Sequence, residues 1–388
     1  MITENKFYSY VHKKMPKGCQ YCVRGEKLVV FVTGICPRSC YYCPLSDQKY
    51  RHDVIFANER KIAEFKDVLI EANNMNAKGA GITGGDPLAK IKRTCDYIRK
   101  LKEEFGTEFH IHLYTSLNLA SEKNLNMLYK AGLDEIRFHP DLDNKELWRH
   151  LEIALQFKWD VGIEIPCIPD KIKEIKELID FVEILNQKGL NNHISFINLN
   201  ELEVADNKMS KLTDMGFICK DEWSYAVKNS VEVGLEIIKY VDKNNNSKLS
   251  VHLCTAKLKD AVQLANRLKR EAAIVKKDFD IMNKEGLLTR GSLYSNGLEP
   301  GFDFDERFKN ANKEKIISKL HEFSEIIKKD LQIKENMIFI DETKLRILLH
   351  KNEIKTHAGY FKKLLLVPAI VTEYPTADQL EVEVDFCE

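Results

Sequence analysis

The 388-residue chain has no excess of charge of either sign: Lys and Arg together number 59, and so do Asp and Glu. That balance gives no support for a surface coated with nucleic acid or held on a membrane. Nor is there an apolar run approaching the roughly 20 residues that a membrane-spanning helix needs. The opening Met1-Ile2-Thr3-Glu4-Asn5-Lys6 is not that of a signal peptide, so a cytoplasmic protein with no membrane partner is expected. No acid–base dyad stands out. The ten cysteines are bunched rather than spread, which suits metal ligation in a reducing compartment better than a disulfide framework.

The densest bunch is Cys36-Pro37-Arg38-Ser39-Cys40-Tyr41-Tyr42-Cys43. A Cys-x3-Cys-x2-Cys loop offers three thiolates, whereas a closed [4Fe-4S] cluster normally takes four. One iron is then left open to chelate the amino and carboxylate groups of a bound molecule. The alternative, a zinc knuckle, wants a fourth protein ligand and usually a second cysteine pair. About forty residues on comes Thr83-Gly84-Gly85-Asp86-Pro87. Alone it reads as a turn, but two consecutive residues without Cβ also let the backbone approach a ligand closely.

Short β-branched or aromatic runs alternate with amphipathic stretches, the rhythm of a parallel α/β sheet. Strands are predicted at 28–33, 79–83, 109–115, 135–139, 161–165 and 194–199, and helices at 67–74, 94–105, 122–131, 145–157 and 172–187. Gly132 and Gly189 are the expected stops of two helices. Six strands fit a partial (β/α)6 barrel over 27–205, preceded by an N-terminal extension at 1–26. A helical extension at 206–300 and a small C-terminal α+β domain at 301–388 complete the expected organisation. In the tail, 286–301 reads as a Gly-rich connection and 359–366 as a helix. The cysteine loop follows the first strand and Gly84-Gly85 ends the second, so both fall at the carboxyl edge, where such sheets bind ligands. Arg137 and His139 share one face by the period of two; if it is the interior, they need partners, and a ligand carboxylate is a natural one. Asn198, Asn200 and Glu201 form a polar cluster at the sixth strand end.

Cys19-x2-Cys22 is half of a metal site. Cys254 is its best third ligand and His252 a weak fourth, both placed outside the six-strand core; the set binds an iron–sulfur cluster, zinc or nothing. A strand of about six residues spans roughly 20 Å, separating this pair from Cys36. Seven cations between Lys257 and Lys277 make a basic helical stretch, either a solvated face or a track for phosphates.

The triad, Tyr42 before its third cysteine and the Gly-Gly-Asp-Pro segment resemble the radical S-adenosylmethionine (SAM) superfamily over about 25–205. The whole chain, to Glu373-Tyr374-Pro375-Thr376, is similar to an archaeal group related to pyruvate formate-lyase activating enzymes. The resemblance implies that Cys36, Cys40 and Cys43 ligate a [4Fe-4S] cluster, that the backbone at Tyr42 meets the adenine, and that the carbonyls of Gly84, Gly85 and Asp86 take the SAM ammonium. It extends SAM or substrate contact to Arg137, His139, Asn198 and Asn200. A bulky residue at Gly84 or Gly85 is then expected to weaken SAM binding and spare the cluster. The implied reaction is reductive cleavage of SAM to a 5′-deoxyadenosyl radical that abstracts hydrogen, with a ferredoxin or flavodoxin as one-electron donor. The substrate class stays open among a protein, a tRNA and a small metabolite, beside a non-enzymatic iron–sulfur or zinc scaffold.

Overall fold

The computed structural model describes residues 4–244 and 247–387; Met1, Ile2 and Thr3 of the signal-peptide reading lie outside the described residues. The chain divides into two units, Met1–Arg267 and Leu268–Glu388. Strands of the first are β1 (Tyr10–His12), β2 (Lys27–Phe31), β3 (Phe56–Ala57), β4 (Arg60–Lys61), β5 (Gly79–Thr83), β6 (His110–Ser116), β7 (Glu135–His139), β8 (Asp160–Cys167), β9 (Ile194–Glu201) and β10 (Ser250–Cys254). They form one sheet in the order β1-β10-β9-β8-β7-β6-β5-β2-β3-β4.

All six predicted strands are present and parallel, within a few residues of their expected ends. β10 adds a seventh parallel strand, with His252 opposite Asn198 and Cys254 opposite Asn200. The run carrying His252 and Cys254 therefore belongs to the core sheet instead of lying outside it. The reason is the helix Ser230–Lys243, which buries Val233, Ile237, Ile238 and Val241 and returns the chain beside β9. Gly132 closes its helix in the left-handed region at φ 95°, whereas the 172–187 helix is capped by Gln187, two residues before Gly189. The predicted 145–157 helix is a 3-10 turn, Lys145–His150, followed by only Leu151–Ala154.

Alternation along the strands sorts two chemistries onto two faces. Ile111, Leu113, Ile136, Phe138, Ile163, Ile165, Ile197 and Leu199 belong to the main apolar core. Their neighbours His110, His112, Tyr114, Glu135, Arg137, Glu164, Asn198 and Asn200 face the barrel interior, where a helix, α1 (Lys17–Val23), sits among them. Gly18 N–H of α1 donates to Glu135 Oε2 at 3.0 Å, and Cys19 Sγ lies 3.5 Å from Asn198 Oδ1. Tyr21 stacks on His110 with centroids 5.5 Å apart. A Cβ at Gly18 would lie 2.6 Å from Arg137 Nη2 and 2.8 Å from His112 Nδ1, so glycine is what admits the helix.

The second unit carries β11 (Ile281–Met282), β12 (Leu288–Ser295), β13 (Ile338–Asp341), β14 (Arg346–Leu349), β15 (Leu366–Glu373) and β16 (Glu381–Phe386) in an antiparallel sheet. β12 lies between β14 and β15 at its centre, so the stretch read as a Gly-rich connection is the middle strand, and the expected break at 300/301 falls within this unit. Gly291 misled that reading: a Cβ there would lie 2.5 Å from Ile354 Cγ1, so the glycine seats the helix Lys351–Lys363 on the strand. That helix replaces the one expected at 359–366. Fully buried Arg346 is held by Glu373 at 2.8 Å and Asp341 at 3.0 Å, an ion cluster whose geometry offsets desolvation.

In the first unit, burial pushes the Lys27 ammonium down to about 7; its Nζ sits 2.7 Å from His110 Nδ1. The unfolded chain keeps that proton until about pH 10.4, so between pH 7 and there the unfolded state binds more protons and stability rises with pH. Urea unfolding midpoints measured from pH 7 to 9 should therefore climb for the native protein, and the climb should flatten in Lys27→Met.

Candidate functional site

The loop bearing the three cysteines leaves β2 and closes on itself before it reaches β3. Gly34 N–H donates to His52 O at 2.8 Å and Arg51 N–H to Gly34 O at 2.9 Å. The exit is pinned as well: Asp53 accepts from Thr33 Oγ1 at 2.9 Å and Arg93 at 2.6 Å. The hydrogen bond from Arg93 leads those holding its carboxyl well below the usual range. Cys36, Cys40 and Cys43 are half-buried along this closed loop, and burial pushes all three thiols up, Cys36 to about 11. A metal must displace their protons to bind.

The end of β5 sets where the loop begins. Gly85 N–H donates to Thr33 O at 2.7 Å and Asp86 N–H to Ile35 O at 2.8 Å. A Cβ on Gly84 would come within 2.6 Å of Thr33 O, and one on Gly85 within 2.6 Å of Gly34 O and Ile35 O. The glycine pair is thus required first by the backbone of the cysteine loop itself. The Asp86 carboxylate is buried and turned to the neighbouring strand, accepting from Thr115 Oγ1 at 2.8 Å, Ser116 Oγ at 2.6 Å and Leu88 N–H at 3.0 Å.

From the other side, Arg38 ties the loop to β7, donating to His139 O at 2.9 Å and pairing with Asp141 at 3.1 Å. Tyr42 Oη meets His139 Nε2 at 2.9 Å; burial pushes that imidazole down to about 4, so it is neutral. After β9, Asn207 donates to Cys43 O and Leu45 O, and Lys211 N–H to Tyr41 O. A cavity of about 310 Å³ opens between the loop and the segments that follow β6, β7 and β8, where Arg38, Cys40 and Tyr42 join Asn118, Asp143 and Lys171 in its lining. Arg38, Lys171 and Asn207 were not singled out from the sequence. Arg38 lies inside the cysteine motif, which was the available signal; Asn207 has no pattern around it.

Of the expected contact residues, Tyr42, His139, Gly84 and Gly85 meet at this edge. Arg137 does not need a ligand carboxylate, because Glu135 at 2.5 Å and Glu164 at 2.9 Å already hold it. Asn198 and Asn200 both donate to Glu164 Oε1, at 2.7 and 2.6 Å, so these three belong to the interior network around α1. Cys19 turns to Asn198, and Cys254 packs on Val23 and Leu258 and accepts from Gln263, with Cys22 near enough to both for its charge to act on their thiols. His252 Nδ1 lies 2.5 Å from Asn198 Oδ1. Among the described residues no three Cys, His, Asp or Glu side chains converge at metal-binding distance, the Cys36 loop included. That loop nevertheless fits an open-sided cluster, since it offers three half-buried thiols, one of them lining a cavity, and a backbone joint with no room for a Cβ.

Residues 30–199 match the model of the Radical SAM superfamily. A Methanocaldococcus jannaschii protein provisionally named a glycyl-radical enzyme activating enzyme is 37% identical over 379 residues, 95% of this chain and 92% of its own length. Biotin synthase of Shewanella pealeana is 32% identical over 114 residues, 29% of this chain and 31% of that protein. Among solved structures, Streptococcus suis SuiB bound to S-adenosylmethionine aligns with TM-score 0.41 at 13% identity, covering 59% of this chain and 50% of SuiB.

The joint at Gly85 yields a test. Gly85→Val should displace the cysteine loop, at a cost on the order of 1–3 kcal/mol of overpacking, and the purified protein should retain markedly less iron after anaerobic reconstitution. Full iron with only SAM affinity lost would restore the purely ligand-directed role of the glycine pair. With its cysteine loop at the carboxyl edge of a parallel sheet and a relative that spans almost its whole length, this chain belongs to the radical SAM superfamily, and is an enzyme whose cofactors are a [4Fe-4S] cluster and S-adenosylmethionine.

Proposed function

We propose that the substrate is a protein and that the hydrogen abstracted comes from a glycyl residue of it, with Cys36, Cys40 and Cys43 as the cluster ligands. The observation that carries this reading is the 37% identity with the M. jannaschii protein, sustained over 92% of that protein's length. In this family the bound cofactors supply a 5′-deoxyadenosyl radical by reductive cleavage of SAM. The chain's own residues orient and shield. Arg38 and the Tyr42–His139 pair hold the loop against β7, and the joint at Gly84 and Gly85 fixes it against β5. Asn207 and Lys211 cover it from the β9 side, limiting access of water to a radical that water exposure would waste. A ferredoxin or flavodoxin serves as one-electron donor, and the setting is the cytoplasm.

The basic stretch supports the tRNA alternative less than its composition suggests. Of the seven cations between Lys257 and Lys277, Lys257 sits over the Tyr8 ring, Lys259 pairs with Glu203, Arg267 with Glu59, and Lys277 sits over the Phe339 ring. The two ion-paired cations are withdrawn from any phosphate track, whereas Lys257 and Lys277 are exposed and keep their charge.

The test is anaerobic reconstitution, reduction with dithionite, and incubation with SAM and peptides whose single glycine is dideuterated at Cα. Deuterium is expected in the 5′-deoxyadenosine formed, and Ala at Cys36, Cys40 or Cys43 should abolish its formation. Label arriving from a small metabolite and from no peptide would overturn the protein reading.

A further inference from the structure

The chain between β9 and the helix Ser230–Lys243 forms a flap over the cysteine loop. Its backbone is laced into three adjacent segments: Val204 N–H donates to Tyr225 O and Val227 N–H to Leu202 O, both at 2.8 Å. Lys220 N–H donates to Ala226 O at 2.9 Å and Lys228 N–H to Ile218 O at 3.0 Å. Leu202, Leu212, Ala226 and Val227 are buried beneath it. On the outer side Trp223 is 93% exposed, Tyr225 67%, Ile218 60% and Met215 55%. The other two tryptophans, Trp148 and Trp159, are buried.

Singly exposed apolar residues are ordinary. Four large ones, two of them aromatic, on one short flap already closed over its own apolar core are not, and Trp and Tyr are the side chains that anchor protein interfaces. Charge narrows the occupant. Between 211 and 228, Lys211, Lys220 and Lys228 are matched by Asp214, Asp221 and Glu222, so there is no cationic field for phosphates. Position narrows it further, because the flap is bonded to the cysteine loop itself, with Lys211 N–H on Tyr41 O at 2.7 Å and Asn207 on Cys43 O at 3.0 Å. A segment seated on the flap is delivered to the rim of the site, and an extended chain advances about 3.3 Å per residue.

We propose that Met215, Ile218, Trp223 and Tyr225 form the docking face for the polypeptide segment that presents the target glycine. This rests on the glycyl reading above and adds the surface that recognises the segment. The face binds apolar side chains flanking the glycine, and its affinity depends little on salt.

The probe is a set of short fluorescein-labelled peptides, each with one Cα-dideuterated glycine flanked by leucine, valine or serine, offered to the reconstituted enzyme. Peptides with apolar flanks should bind more tightly by fluorescence anisotropy. Trp223→Ser combined with Tyr225→Ser should raise both Kd and the KM for deuterium transfer by about ten-fold or more, the size of loss typical of interface anchors, with iron content unchanged. Ile184→Ser, an equally exposed apolar side chain on the helix Ile172–Asn186, is the control and should leave Kd as it was. Deuterium transfer with Kd and KM unmoved in the double variant would overturn the docking face and leave the glycyl reading standing. No transfer from any peptide would overturn the glycyl reading, and the docking face with it.

Discussion

The contact on which the site depends is between two stretches of backbone. Gly84 and Gly85 lie so close to Thr33, Gly34 and Ile35 that neither has room for a Cβ, and N–H···O bonds from Gly85 and Asp86 lock the two stretches together. Because the contact is backbone to backbone, it fixes the start of the cysteine loop without relying on a rotamer. Arg38, Tyr42 and Asn207 then have only to orient a loop whose root is already set. Side-chain bonds to one end of a long loop would leave the rest free to open at modest cost, since closure entropy grows slowly with length; a rigid root at Gly34 and a pinned exit at Asp53 remove that freedom from both ends.

The interior poses the opposite problem, since it holds charges that water would otherwise solvate. Arg137 is 1% exposed, and a buried guanidinium is tolerable only with close carboxylates and satisfied donors. Glu135 and Glu164 supply the carboxylates, Asn198 and Asn200 satisfy Glu164, and Gly18 N–H reaches Glu135. α1 is therefore a member of the network rather than an appendage, and removing it would strand Glu135 with fewer donors. Cys19 is buried in this polar core and Cys22 is half-buried, and burial pushes both thiols up. The cysteines of the loop beyond β2 are half-buried, and Cys40 lines a cavity.

How much of this was legible beforehand depended on whether the signal was local. β5 and β7 fall where alternation and flanking glycine put them, and the helix Glu122–Ala131 follows its own cap residues, Ser121 and Gly132. β12 was missed because Gly291 breaks the strand pattern, and its reason, Ile354, lies 63 positions away. β10 was read as a strand but placed outside the sheet, because its partner β9 is separated from it by the flap and a helix. In the site, the cysteines were legible from spacing alone. Of the partners of Arg137, Glu135 lies two residues back on the same strand and shares its face, whereas Glu164 lies on β8, whose register no single sequence displays.

The same distinction bears on recognition. Features that the fold consumes internally say little about a partner, however conspicuous in sequence; Lys259 and Arg267 of the basic stretch, paired with Glu203 and Glu59, are two. What remains informative is surface that the fold leaves unused. The flap meets that criterion, because its backbone pairs internally, its inner side chains pack, and its indole and phenol still face water on a segment that Asn207 and Lys211 bond to the cysteine loop. Apolar surface exposed at a rigidly held rim costs solvation in the free protein. Covering it on association returns that free energy where a substrate must be held, which is how binding remote from the reacting atoms can be used to position them.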